Sequence, residues 1–98
     1  MRSELQPFRQ LLNRKSRGFA RFDKRHPVVA TRMIEVAHQL IHPDMDTADL
    51  KTVRQTLKAR MEQEHQVSGI LSAIAVGLIV KIVVELIYAK LKERHNRD

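Results

Sequence analysis

Three acids in this chain stand three residues ahead of a histidine: Asp23 before His26, Glu35 before His38 and Glu62 before His65. On a helix, that spacing puts a carboxylate and an imidazole on one face, as carboxylate-bridged di-iron bundles require. Such bundles also need two further glutamates directed into the same interior. Glu35, His38 and His42 fall opposite the apolar residues of their own segment and therefore point outward. Pro27 spoils helical geometry for the first pair. Glu35, His38, Glu62 and His65 are thus weak metal candidates, and the expectation is solvated or salt-bridged histidines without a metal. The absence of cysteine removes disulfides and thiolate ligands. No glycine-rich phosphate loop, nucleophile–base motif or paired-acid constellation is present. The chain reads as non-enzymatic, with no cofactor and no small-molecule substrate.

A second chemistry is the neutralisation of phosphate. Between Arg14 and Arg25 the cations Arg14, Lys15, Arg17, Arg21, Lys24 and Arg25 interleave with Phe19 and Phe22. Cations release counterions from phosphates, and aromatic rings can stack on bases or sink into a headgroup layer. The partners this suggests are anionic lipid headgroups or nucleic acid. The structural alternative is a charged loop whose two phenylalanines pack in a core.

A third feature is a pair of opposite charges inside an apolar run. From Val67 to Val80, 14 residues carry no charge, and Lys81 and Glu85 then interrupt a run that continues to Ala89. Twelve of residues 70–89 are Leu, Ile or Val. On an insertion scale they contribute roughly −5 kcal/mol, and a central Lys81 costs about 2.5–3.5. The balance is near zero to slightly favourable, and an uncharged core of this length also suits a buried helix. Gly69, Ala73 and Gly77 recur every fourth residue, and Lys81 and Glu85 continue the row. Small residues at that spacing allow close helix–helix approach in lipid. The row reads as an association face toward other copies of the chain or another membrane helix.

Helices must position these groups, and no strand pattern competes. The first is expected from about Ser3 to Lys15, with Leu5, Phe8, Leu11 and Leu12 on one face. Ser16 to His26 reads as irregular around Gly18. Pro27 opens a second helix to about Ile41, with Val29, Met33, Val36, Ala37, Leu40 and Ile41 on its apolar face. After a turn at His42-Pro43-Asp44, Asp46 or Thr47 caps a third helix, with Asp49 in its first turn. Leu50, Val53, Leu57 and Met61 form its narrow stripe. Nothing in Gln66-Val67-Ser68-Gly69 forces a break, so the third and fourth segments can form one helix of roughly 70 Å at ~1.5 Å per residue.

The 98 residues have a net charge of +7. Residues 1–32 hold nine Lys/Arg and two acids, so the whole excess lies there. That asymmetry suits an arm for an anionic surface. The N-terminal residues lack the apolar run of a secretory signal. Four cations precede the run (Lys51, Arg54, Lys58, Arg60) and four follow it (Lys90, Lys92, Arg94, Arg97), so flanking charge does not decide orientation.

The expected fold is all-α, with short N-terminal helices and a helical hairpin followed by one long C-terminal apolar, transmembrane helix. The expected divisions are a basic helix and arm (1–26), a hairpin (27–66), the apolar helix (67–91) and a charged tail (92–98). The expected role is a tail-anchored structural or adaptor subunit of a larger assembly, such as a minor virion membrane protein or an accessory subunit of a bacterial membrane complex. Its N-terminus would lie in the cytoplasm or virion interior. The alternatives are a soluble helical oligomer burying residues 67–89, a holin-like pore former and a nucleic-acid-binding protein.

Overall fold

A computed structural model describes residues 5–65 and 73–97, and the fold is all-α. Five helices run in chain order among the described residues: α1 (Gln6–Lys15), α2 (Arg17–Arg25), α3 (Pro27–Leu40), α4 (Thr47–His65) and α5 (Ala73–Arg97).

The segment expected to be irregular is a helix. Ser16 stands between α1 and α2 in an extended conformation (φ −139°, ψ 114°). Its N–H donates to the Leu12 carbonyl at 3.0 Å, and its Oγ accepts from the Phe19 N–H at 3.1 Å. One residue thus ends α1 and caps α2, satisfying amides that would otherwise lack partners. Gly18 falls in the first turn of α2. Phe19 and Phe22, three apart, are both buried and fasten the helix to the core. His26 ends α2 in the same way, its N–H donating to the Phe22 carbonyl at 2.8 Å, but its side chain makes no cap to α3. The break comes from Pro27, whose ring disfavours the helical region for the residue ahead of it.

α3 is central. Ala30, Met33, Ile34, Val36 and Ala37 are buried along it, within one broad face of about 160° at ~100° per residue. At the start of α4, the Asp46 carboxylate accepts from the Asp49 N–H (2.9 Å), and Asp49 accepts from the Asp46 N–H (3.2 Å). This reciprocal box satisfies two amides. Leu50, Val53, Leu57 and Met61 are buried as a narrow stripe.

α4 and α5 are separate, antiparallel helices. The Tyr88 hydroxyl donates to the Met45 carbonyl, Arg54 meets Glu85 at 3.6 Å, and Gly77 lies against Lys58. Positions rising along one helix meet positions falling along the other. The continuous 70 Å helix does not form, and the longest dimension of the molecule is 44 Å.

On α5 the buried residues are Val76, Ile79, Val80, Val83, Val84 and Ile87. This stripe at helical spacing packs on the other helices. Among the described residues no helix is long and apolar enough to cross a membrane. The physical reason is that Lys81, Glu85 and Lys90 interrupt α5 before an uncharged stretch reaches the ~20 residues a span needs. The valines beside the expected association face (Val76, Val80, Val84) are spent on the protein's own core, while Leu78 on the opposite side stays exposed.

Candidate functional site

α2 sorts its side chains sharply. Phe19 and Phe22 face the core, while Arg17, Arg21, Lys24 and Arg25 are exposed. Their spacing of four, three and one residues makes them a single outward stripe. The one acid of this helix, Asp23, is turned away from the stripe. Arg9 of α1 grips it with both arms of its guanidinium, Nε donating to Oδ2 at 2.9 Å and Nη2 to Oδ1. Asn13 also donates to Oδ2, at 3.3 Å. The hydrogen bond from Arg9 holds the Asp23 carboxyl below its ordinary value, with Asn13 and the Arg9 charge adding to it and burial opposing. The same hydrogen bond raises Arg9. Asp23 is thereby committed inward, and no described carboxylate pairs with the four stripe cations. Arg14 and Lys15 close α1 and are exposed beside the stripe.

A groove separates α2 from α5. Its walls are Phe22, Ala75, Leu78, Ile79 and Ile82, and its rim carries Arg21, Arg25, His26, Lys81 and Glu85, with Gly18 at one end. It holds about 610 Å³. The Gly18 backbone comes close to Ile82 here, since a Cβ at position 18 would lie 3.9 Å from the Ile82 Cδ1. Ile74 and Leu78, 78 % and 61 % exposed, project from α5 as large apolar side chains in water. Leu78 forms part of the groove wall, so exposed apolar surface adjoins the exposed cations Arg21, Arg25 and Lys81. Glu85 is the one rim acid, and Arg54 of α4 holds it at 3.6 Å.

The six cations of the basic segment are exposed on the ends and faces of two helices. Of the expected association face, Gly69 lies outside the described residues and Ala73 opens α5. Gly77 sits against the aliphatic stem of Lys58, where a Cβ would lie 3.6 Å from Cε. Glu85 pairs with Arg54, and Lys81 stands on the groove rim. The structure thus brings Arg21 and Arg25 together with Lys81, groups that the sequence separates by more than 50 positions.

The acid–histidine pairs take other roles. The His38 ring meets Phe8 edge-on at 5.0 Å, and Glu62 lies 3.9 Å from Lys58. Glu35 is half-buried on α3, and His65 is the last residue of α4. Among the described residues no three His, Asp or Glu side chains gather as a metal requires. Arg32 and Glu64 form a two-armed bridge between α3 and α4, at 2.9 and 3.3 Å.

The sequence patterns did not mark Leu78, Ile79 and Ile82 as groove walls, and they offered Phe22 only as a stacking, headgroup or core ring. The local signal was there: Ser16 as a cap, phenylalanines three apart and cations at helical spacing mark α2 as amphipathic. No family model matches the chain, and no curated protein or solved structure matches it.

Proposed function

We propose that this protein is a non-enzymatic adaptor that docks on an anionic membrane surface. Its contact is the outer face of α2 together with the exposed ridge of α5. The observation that carries the reading is that Arg21 and Arg25 of the exposed cationic stripe border the same groove as the exposed Leu78, with exposed Ile74 one turn before it on α5. Each basic residue near an anionic bilayer contributes about 1 kcal/mol. An apolar side chain that enters the headgroup boundary adds area burial at about 25 cal/mol per Å². Two kinds of contact together give stable but reversible attachment, as membrane anchoring generally requires. The negative leaflet that faces the cytoplasm, or a virion interior derived from it, is the natural surface.

The protein lies on the membrane in this reading and does not span it. Lipid is favoured over nucleic acid by two observations. Both phenylalanines of the basic segment are buried, so their rings are withheld from stacking on bases. Exposed Ile74 and Leu78 have no use against a phosphate backbone but do have one in a lipid layer. Vesicle co-sedimentation tests the proposal. Vesicles with 30 mol% phosphatidylserine should retain the protein at 0.1 M salt, and phosphatidylcholine vesicles should not. Equal retention on both, or retention on duplex DNA in preference to either, contradicts it.

A further inference from the structure

We propose that the α2–α5 groove is a binding site for a single-chain anionic amphiphile, its alkyl chain lying on the walls and its headgroup held at the rim. The inference rests on the reading of this face as lipid-facing and names what the groove itself takes.

The walls are hydrocarbon. Phe22 comes from α2, and Leu78, Ile79 and Ile82 come from α5. From Ala75 to Ile82 they extend for about 10 Å along the α5 axis, at ~1.5 Å per residue. The volume of about 610 Å³ falls in the range of small-molecule sites, roughly 300–1,000 Å³. Water against such walls is readily displaced by an alkyl chain, because apolar surface leaves water on both sides.

The rim selects charge. Arg21, Arg25 and Lys81 stand around the opening, and the one acid, Glu85, is engaged by Arg54. Guanidinium groups present forked donors that match phosphate or carboxylate oxygens. A neutral chain would leave these cations without a counter-charge, and an anion without a chain would leave the walls wet. An amphiphile with an anionic head satisfies both.

The probe is dodecyl phosphate below its critical micelle concentration, followed by calorimetry and by amide shifts in two-dimensional NMR. Inorganic phosphate and dodecyl maltoside serve as head-only and uncharged-chain controls. Saturable binding of one dodecyl phosphate per protein is expected, at least tenfold tighter than either control, with shifts at Ala75, Ile79 and Ile82. Ala75→Trp, from an exposed position, fills the groove and should lower that affinity at least tenfold while leaving the circular dichroism spectrum unchanged. Arg25→Ala should lower it several-fold.

Two variants separate this site from the docking face. Ala75→Trp should still sediment with phosphatidylserine vesicles. The double variant Arg17→Glu/Lys24→Glu, at two positions that do not line the groove, should lose the vesicles yet still bind dodecyl phosphate. Any of four results overturns the proposal: no saturable binding, equal affinity for dodecyl maltoside, unchanged affinity in Ala75→Trp, or concentration-dependent dimerisation abolished by Ala75→Trp. The last result would make a second copy of the chain the occupant.

Discussion

Arg9 holds Asp23 across the α1–α2 junction with both arms of its guanidinium, and this contact gives α2 its uncompensated outer charge. Asp23 is the one acid on a helix that carries Arg17, Arg21, Lys24 and Arg25. Its side chain is only 12 % exposed and faces α1. Structure and function meet at this pair, because the bridge that joins two helices also withdraws the nearest counter-charge from the surface.

Replacing Asp23 by Ala should therefore cost about 1.5–3 kcal/mol, the range for hydrogen bonds to charged groups. The bridge also sets an acid limb. Asp23 has a folded pKa below its unfolded value, so the unfolded chain binds the proton first. Its contribution is complete above the ordinary carboxylate value of 3.8 and is lost as the pH falls through the lower folded value. Urea denaturation between pH 5 and 2 should show this fall, and Asp23→Asn should flatten it. An unchanged acid limb in Asp23→Asn would show that the bridge contributes nothing.

The fate of the apolar run can be tested by comparing two faces of α5. Ile87 is fully buried, so Ile87→Ala should cost about 2–5 kcal/mol through lost contacts and a cavity. Leu78 is 61 % exposed, so Leu78→Ala should stay within about 0.5 kcal/mol. Chemical denaturation without detergent measures both. Equal, small effects would mean that the core is not built on α5.

Gly77 offers a finer test. It lies inside α5, and the three atoms nearest a new Cβ all belong to the flexible Lys58 side chain, at ordinary contact distances. Gly77→Ala should raise stability by up to about 1 kcal/mol, the helix-propensity gain. Analytical ultracentrifugation should show the same oligomeric state as the parent. A change of oligomeric state would assign Gly77 to an interface between chains.

Tyr88 ties the C-terminal half of α5 to the α3–α4 turn through the Met45 carbonyl, and Lys92 lies over its ring at 5.4 Å. Tyr88→Phe should cost about 1 kcal/mol, the net worth of one hydrogen bond. Thermal denaturation followed by circular dichroism reads this directly.

What was legible in the sequence was local. Pro27 and Asp46 mark the starts of α3 and α4, because fixed φ and side-chain capping act within one turn. The stripe Leu50, Val53, Leu57 and Met61 reads directly as a buried face. α2 was obscured by Gly18, whose helix cost is outweighed by the Ser16 cap and the burial of Phe19 and Phe22. The apolar run was ambiguous for a deeper reason. A helix apolar on nearly every side fits a bilayer or the centre of a small bundle, and only the packing partners decide. Arg9–Asp23, Arg54–Glu85 and the groove join residues far apart in the chain, and no local pattern carries such pairings.

The central claim is that the outward charge of α2 holds the protein on anionic lipid. Co-sedimentation with phosphatidylserine vesicles at 0.1 M salt, comparing the parent with Arg17→Glu/Lys24→Glu, tests it most directly. Reversing two charges changes the electrostatic contribution by several kcal/mol, at about 1 kcal/mol per charge near the surface. The account predicts at least a tenfold loss of vesicle binding in the variant, with its helical signal retained. Undiminished binding by a folded variant would contradict it.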